Sequence, residues 1–207
     1  MANETSQRTK QSRVRRICVF AGSSPGTRAE YAAAAQALGR DLARRGLGLV
    51  YGGSARGLMG VLADAALAEG GEVIGVLPRG LFQREVAHHG LTALHEVGSM
   101  HERKALMADL ADGFIALPGG YGTFDELFEI VTWAQLGIHA KPIGLLDVRE
   151  YFAPFVGLVE HAASEGFVSA AQTALLLRAE TPAELLDRFA SCQPISNPAL
   201  SDLPLER

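Results

Sequence analysis

The stretch Leu117-Pro-Gly-Gly-Tyr-Gly-Thr-Phe-Asp-Glu126 places three glycines between an apolar run and a pair of acidic residues. The run before it, GFIAL at residues 113–117, predicts a short buried strand, and LFEIVTWAQL at 127–136 has the apolar spacing of a helix. The stretch is therefore predicted to be the end of a strand, a tight glycine turn and the start of a helix. The residues alone leave two interpretations of the turn open, a cradle for a phosphate group or an ordinary capped turn.

The same alternation extends along the chain. Strands are predicted at 16–21, 48–51, 72–77, 113–117, 142–146 and 174–177, with a short one near Leu94 in the less regular segment 79–98. Further helices are predicted at 28–45, 58–69, 100–111, 150–165 and 182–191. The strands are apolar on both faces, which is typical of a parallel sheet covered by helices on both sides, and the βαβα order predicts a doubly wound α/β domain. We expect this single domain to span residues 14–191, between a disordered tail at 1–13 and a flexible tail at 192–207.

Composition and charge argue against several classes of protein. The 207 residues are 48% hydrophobic and 20% charged, which favours one well-filled core, and the net charge of -4 argues against a nucleic-acid binder. No apolar run approaches the roughly 20 residues that a membrane span needs, and the N-terminus lacks the apolar core of a secretory signal. The two cysteines, Cys18 and Cys192, argue against a disulfide framework and are typical of a cytoplasmic protein.

Four loops are predicted at the carboxyl ends of the strands, the edge where ligands bind in such sheets. They are GSSPG at 22–26, YGGSARG at 51–57, LPRGLFQRE at 77–85 and PGGYGT at 118–123, and three of them are rich in glycine and run into a helix. Glycine lets backbone N–H groups approach a ligand, and a helix N-terminus favours an anion. Three such loops on one edge predict a phosphorylated ligand. Neither the dinucleotide fingerprint G-x-G-x-x-G after the first strand nor a Walker G-K-[ST] sequence occurs.

Glu126 has two open interpretations. Residues 123–126, TFDE, form a T-x-x-E capping box, a device that the chain repeats at 27–30, 99–102 and 181–184. The surplus of glycine before it, and the second carboxylate of Asp125 beside an anion site, point instead to a functional role.

The helix at 100–111 also has two open interpretations. His101, Arg103 and Lys104 crowd its first turns, where cations oppose the helix dipole, so they are either solvated or placed for an anion. The six histidines have no metal-ligand spacing, so no metal site is predicted.

Five segments together carry a resemblance to a known family. Residues 118–126 fit P-G-G-x-G-T-x-x-E, 100–104 fit M-H-x-R-K, 51–60 fit Y-G-G-G-x-x-G-L-M-G, and 22–24 and 133–137 match its G-S-S and W-A-Q-L-G. This combination resembles the LONELY GUY family of cytokinin riboside 5'-monophosphate phosphoribohydrolases, older members of which were labelled lysine decarboxylases.

The resemblance extends over about residues 14–190, and Ser54 stands where the family usually has its third glycine. It implies Rossmann-like homodimers that need no metal or redox cofactor and that hydrolyse the N-glycosidic bond of an adenosine-type 5'-monophosphate. It implies Arg103 and Glu126 as the catalytic pair. It also implies a phosphate site at Gly119, Gly120, Tyr121, Gly122 and Thr123, and a nucleotide site lined by Ser24, Glu85, Lys104 and Thr132.

The implied chemistry suits these residue types. Cleavage of the C1'–N bond develops positive charge on the ribose, which a carboxylate such as Glu126 stabilises while it accepts a proton from water. Arg103 would stabilise negative charge on the leaving base, and bound phosphate would fix the position of the sugar. A non-catalytic nucleotide or cofactor carrier of the same fold is the alternative. Lysine decarboxylation is a distant third, because no lysine has the context of a pyridoxal phosphate site.

Overall fold

The computed structural model describes residues 14–81 and 87–192, and within them it contains one seven-stranded sheet. Every pair of neighbouring strands is parallel, in the order β4-β3-β2-β1-β5-β6-β7. The strands are β1 Arg16–Phe20, β2 Gly48–Tyr51, β3 Val73–Pro78, β4 Ala93–Val97, β5 Gly113–Ala116, β6 Ile143–Leu146 and β7 Leu176–Ala179. The predicted doubly wound α/β fold is confirmed. The predicted tails lie outside the described residues, apart from Cys192.

Helices cover both faces of the sheet and bury its five inner strands, β1, β2, β3, β5 and β6. They are α1 Ala29–Arg44, α2 Gly57–Ala68, α3 Met100–Leu110, α4 Tyr121–Gln135, α5 Ala153–Ser164, α6 Ala170–Thr173 and α7 Pro182–Ser191. Helices α1, α2 and α7 contribute to one hydrophobic core, and α3, α4 and α5 contribute to the other. No helix among the residues described is long and apolar enough to cross a bilayer.

The strand order reverses beside β1, and this reversal indicates which edge of the sheet can bind a ligand. The chain builds outward from β1 to β4 and then returns to pair β5 against the other side of β1, with Phe20 opposite Ala116. In open parallel sheets the crevice at such a reversal, outside the carboxyl ends of the strands, is where ligands bind. The connections that follow β1, β2 and β5 meet at this crevice, and we call them the rim loops: residues 21–28, 52–56 and 117–120.

The second half of the domain departs from the predicted boundaries. The helix predicted at 150–165 begins only at Ala153, because Arg149 and Glu150 both have left-handed backbone, with φ of 56° and 57°. The strand predicted at 174–177 lies at Leu176–Ala179. It follows α6, which the sequence analysis missed although Ser169 and Gln172 form a complete capping box there. The short strand predicted near Leu94 is confirmed as β4.

Candidate active site

The first rim loop contacts the third rim loop and the start of α2 through its backbone. Gly22 N–H donates to the Pro118 carbonyl at 3.1 Å, and Leu58 N–H donates to the Gly22 carbonyl at 3.0 Å. A Cβ on Gly57 would lie 2.3 Å from the carbonyl carbon of Ser23, and one on Gly22 would lie 3.2 Å from Gly119 Cα. Gly57 therefore has to be glycine, because a side chain would clash with the Ser23 backbone and its φ of 57° is left-handed, whereas Gly22 permits a close backbone approach.

Helix α4 begins inside the glycine turn, earlier than the capping box predicts. Gly120 is the N-cap residue in extended conformation, and Thr123 is the third residue of the helix. The capping interpretation of Glu126 is therefore wrong, since Thr123 does not occupy the N-cap position. Gly120 has no side chain that could accept a hydrogen bond from the first N–H groups of α4. In every α-helix these first N–H groups have no partner inside the helix itself. The N-terminus of α4 thus presents backbone donors and a positive dipole end at the rim.

Of the other three predicted capping boxes, two correspond to helix caps and one does not. Ser99 caps α3 by accepting from Glu102 N–H at 3.1 Å, and Thr181 caps α7 by accepting from Glu184 N–H at 3.4 Å. The box predicted at 27–30 is wrong, because α1 has Arg28 as its N-cap and no side-chain cap. The same four-residue pattern therefore corresponds to a helix cap in two places and to something else at Glu126.

Arg103 points from α3 into the interior of the domain and is buried. Its Nε donates to the Val76 carbonyl and its Nη2 to the Gly52 carbonyl, each at 3.1 Å. A Cβ on Gly52 would stand 2.0 Å from Nη2, so glycine at that position makes room for the guanidinium. The backbone of β3 and of the loop after β2 thereby orients the arginine, for which the sequence left open a solvated cation or one placed for an anion.

Glu126 projects from α4 toward the same place. Its Oε1 lies 3.7 Å from Nη1 of Arg103, and the two side chains are only 10% and 7% exposed. Cys18 is fully buried in β1. Burial raises the pKa of its thiol well above the ordinary value, and the nearby charge of Glu126 raises it further. The structure therefore brings together the two residues that the resemblance implies as catalytic, and it does so in a largely dry setting.

Lys104, next to Arg103, faces the acidic side of α4. Its Nζ lies 3.0 Å from Oδ2 of Asp125 and 3.1 Å from Oε1 of Glu129. Burial would lower the pKa of Lys104, but the two hydrogen-bonded carboxylates outweigh it and raise the pKa above its ordinary value. Three basic residues were predicted at the start of α3. Lys104 pairs with carboxylates, Arg103 donates hydrogen bonds to carbonyls, and His101 is exposed.

The remaining predicted site residues are spread along the rim and beyond it. Ser24 lies exposed on the first rim loop, and Tyr121 is 93% exposed at the start of α4. Thr123 is buried against Gly119, where a Cβ would lie 2.1 Å from its Oγ1. Thr132 lies six residues beyond Glu126 on α4, is exposed, and donates its hydroxyl to the Phe128 carbonyl at 2.7 Å. Glu85 lies outside the described residues.

Two features of the site have no counterpart in the sequence analysis or differ from what the resemblance implies. Tyr151, just before α5, donates its hydroxyl to the Gly119 carbonyl, and no motif marks it. Ser54, in place of a family glycine, is fully buried and accepts a hydrogen bond from Arg56 N–H at 3.2 Å. Its backbone lies outside the left-handed region that favours glycine, unlike that of Gly53 beside it, so the loop accommodates serine.

Fold and site together define a doubly wound α/β protein in which glycine-rich rim loops and an uncapped helix N-terminus surround a buried arginine–glutamate pair. A family model described as "Possible lysine decarboxylase" matches residues 59–189. The chain belongs to this family, whose curated members include the cytokinin riboside 5'-monophosphate phosphoribohydrolases of the LONELY GUY type.

Relatives from plants and bacteria share about half of their residues with the chain. The cytokinin riboside 5'-monophosphate phosphoribohydrolase LOG of Oryza sativa subsp. japonica is 50% identical over 177 residues, which are 86% of this chain and 73% of the rice protein. The protein of the same enzyme name from Rhodococcoides fascians is 54% identical over 156 residues, 75% of this chain and 79% of that protein. The family resemblance drawn from the motifs is confirmed.

Solved structures share the fold at lower identity. The molybdenum cofactor binding protein from Rippkaea orientalis has a TM-score of 0.65 at 22% identity, covering 87% of this chain and 98% of its own. The molybdenum cofactor carrier protein from Chlamydomonas reinhardtii has a TM-score of 0.62 at 23% identity, covering 84% and 99%. These likenesses confirm the Rossmann-like architecture.

Proposed function

We propose that the protein hydrolyses the N-glycosidic bond of cytokinin riboside 5'-monophosphates and of AMP, releasing the free base and ribose 5-phosphate. One observation carries the proposal: Glu126 and Arg103 meet, 3.7 Å apart, beside the uncapped N-terminus of α4. An anion site next to a buried carboxylate is the arrangement that a phosphorylated sugar with a reacting anomeric carbon requires. Relatives at 50% and 54% identity that carry this enzyme name support the assignment.

In this proposal the phosphate binds at the glycine turn. The N–H groups from Gly119 to Thr123 and the dipole of α4 hold it, and the binding energy of this remote group fixes the ribose over Glu126. Ser24, which is exposed on the adjoining rim loop, and Thr132 are proposed to contact other parts of the nucleotide. Lys104, whose ammonium group is held by Asp125 and Glu129, is proposed to line the nucleotide site beside Arg103.

The reaction itself needs one charge-stabilising group and one proton acceptor. As the C1'–N bond breaks, its electron pair leaves with the base and positive charge develops on the ribose ring, which the Glu126 carboxylate stabilises. Glu126 then accepts a proton from the water whose oxygen bonds to C1', and releases it through solvent to the departing base anion, which becomes neutral and leaves the carboxylate ionised again. Arg103 compensates the carboxylate charge where water is largely excluded and stabilises negative charge on the departing base.

We further propose that the protein acts as a homodimer in the cytoplasm. Phe128 on α4 and Leu136, the C-cap residue of that helix, lie eight residues apart, and both apolar side chains are 44% exposed. An exposed apolar pair of this kind suits contact with a second copy. The buried free thiol of Cys18 is compatible with a reducing compartment. Light scattering on the purified chain tests the dimer, and a monomeric mass at micromolar concentration would contradict it.

The decisive experiment follows base release chromatographically. Purified protein is incubated with AMP, with a prenylated adenosine 5'-monophosphate, and with the two corresponding nucleosides. We expect free base from the monophosphates and much slower release from the nucleosides, which lack the anchoring group. Equal rates with and without phosphate would remove the phosphate anchor. Tight binding of nucleotide without base release would instead support a carrier of the same fold.

A further inference from the structure

Tyr151 lies outside the proposed catalytic pair, yet its hydroxyl reaches the backbone of the glycine turn. It follows β6 by five residues and donates a hydrogen bond to the Gly119 carbonyl, 32 residues away in the chain. Gly119 immediately precedes Gly120, the N-cap residue of α4. The hydrogen bond therefore links the β6–α5 connection to the peptide at which the proposed phosphate site begins.

The geometry of a peptide bond gives this hydrogen bond a consequence. In a planar trans peptide the C=O and the following N–H point in opposite directions. Holding the Gly119 carbonyl toward Tyr151 therefore holds the Gly120 N–H away from Tyr151. The preceding Pro118 carbonyl is held in the same way by Gly22 N–H at 3.1 Å, which orients the Gly119 N–H. Two successive glycines have wide conformational freedom, so these external restraints set the directions of both N–H groups.

The Tyr151 ring is itself held in place. It packs edge-on against Tyr31 of α1, with ring centroids 5.8 Å apart, and against Phe152 at 5.1 Å. Asp147 is 1% exposed, accepts a hydrogen bond from Phe152 N–H at 2.7 Å and pairs with Arg178. These contacts anchor the chain on both sides of residues 148–151.

The backbone before Tyr151 adopts an uncommon conformation. Arg149 and Glu150 both have positive φ, which costs free energy for residues with a side chain and persists only where the surroundings impose it. These two left-handed residues end the 3₁₀ turn at 148–150, so the chain reaches Tyr151 and then enters α5 at Ala153. The tyrosine is therefore presented to the glycine turn by a connection from β6 to α5 that contains two left-handed residues.

We propose that Tyr151 is a positioning residue for phosphate recognition, acting through the Gly119–Gly120 peptide. This inference rests on the proposed function, since it assumes that the glycine turn holds the 5'-phosphate. The Tyr151 hydroxyl keeps the Gly120 N–H directed at the phosphate. Without that hydroxyl the Gly119–Gly120 peptide rotates among several orientations, and only some of them bind phosphate. Loss of the hydroxyl therefore weakens phosphate binding and leaves the chemistry at Arg103 and Glu126 intact.

The test compares Tyr151→Phe with Tyr31→Phe, which removes a hydroxyl from the other ring of the same pair. One hydrogen bond corresponds to about 3- to 10-fold in an equilibrium constant. We expect Tyr151→Phe to raise the KM for AMP, and the inhibition constant of ribose 5-phosphate, by about that factor, with kcat within about twofold of wild type. Tyr31→Phe should change neither, and the slow turnover of adenosine should be the same in all three proteins.

The alternative outcomes are distinguishable. If wild-type protein prefers AMP over adenosine but Tyr151→Phe leaves both constants unchanged, the positioning role is wrong and the proposed function stands. If Tyr151→Phe lowers kcat for AMP and for adenosine alike, the residue has only a structural role, which also overturns the inference. If wild-type protein cleaves AMP and adenosine equally, the phosphate anchor itself fails. A thermal unfolding midpoint within a few degrees of wild type confirms that each variant is folded.

Discussion

Nη1 of Arg103 lies 3.7 Å from Oε1 of Glu126, and each of these side chains is about nine-tenths buried. The separation exceeds that of a hydrogen bond, so the pair is held by charge and by the anchoring of each partner rather than by direct contact. The arginine is anchored by the carbonyls of Gly52 and Val76, and the glutamate by its place on α4. The two carbonyls and the two helices that carry these side chains thus fix the relation between the two groups.

Replacing Glu126 by glutamine should abolish most of the activity. The substitution keeps the shape of the side chain but removes the charge that stabilises the ribose cation and accepts the water proton, which lowers kcat for AMP by about 10²- to 10⁴-fold. Glu129→Gln is the matched control, because Glu129 lies one turn further along α4 and pairs with Lys104. Steady-state base release measures both, and Glu126→Gln activity near that of wild type would return Glu126 to a purely structural role.

Replacing Gly52 by alanine should displace the Arg103 side chain while leaving residue 103 itself unchanged. The new Cβ would stand 2.0 Å from Nη2, so the guanidinium must leave the Gly52 carbonyl. We expect a loss of about 1–3 kcal/mol in the free energy of unfolding and at least about a tenfold fall in kcat/KM.

Gly157→Ala on α5 is the control for the glycine change, since a Cβ there meets nothing within 4 Å. Alanine in a helix interior should stabilise the fold by about 0.5–1 kcal/mol and leave activity unchanged. Chemical denaturation and base-release assays measure the two effects separately. Wild-type activity in Gly52→Ala would show that the position of Arg103 does not matter.

The sheet could be predicted from the sequence because its strands are short apolar runs separated by helical spacing. Apolar residues on both strand faces indicate a parallel sheet, and its carboxyl-end loops necessarily share one edge. The start of α5 could not be predicted in this way. Left-handed backbone is signalled by glycine or asparagine, and here Arg149 and Glu150 adopt it. The β7 boundary moved for a related reason, because the apolar run at 174–177 begins while the chain is still leaving α6.

The site shows a different limit. Thr123 and Glu126 satisfy a capping box in sequence, and only the position of Gly120 as N-cap shows that they are not one. Spacing alone cannot separate the two interpretations, because both place the glutamate near the start of a helix. Tyr151 was beyond prediction because its partner lies 32 residues away and is a backbone carbonyl, which leaves no pattern of residue types.

Lys104 should matter more for the docking of α3 against α4 than for the chemistry. Lys104→Met leaves Asp125 and Glu129 without their shared cation, and we expect a loss of about 1 kcal/mol, discounted for the exposure of the carboxylates. Adding Asp125→Asn and Glu129→Gln should restore part of the loss, because the carboxylates then no longer repel each other. Urea denaturation at neutral pH measures this triple variant against each single one. Additive losses, with no recovery in the triple variant, would contradict a shared network.

His139 should make the fold sensitive to mild acid. Burial lowers its pKa, the hydrogen bond from Nε2 to the Ile130 carbonyl opposes this, and the charge of Lys141 lowers it further. Nδ1 accepts from Lys141 N–H at 3.1 Å, so protonation removes that bond. Because the folded pKa lies below the unfolded value near 6.5, stability is full above about pH 6.5 and falls, by at most about 1.4 kcal/mol per pH unit, as the pH decreases.

His139→Gln should flatten this dependence between pH 7 and 5, whereas the control His101→Gln, at an exposed position, should keep it. Parallel curves of unfolding free energy against pH in all three proteins would show that His139 is not the responsible group.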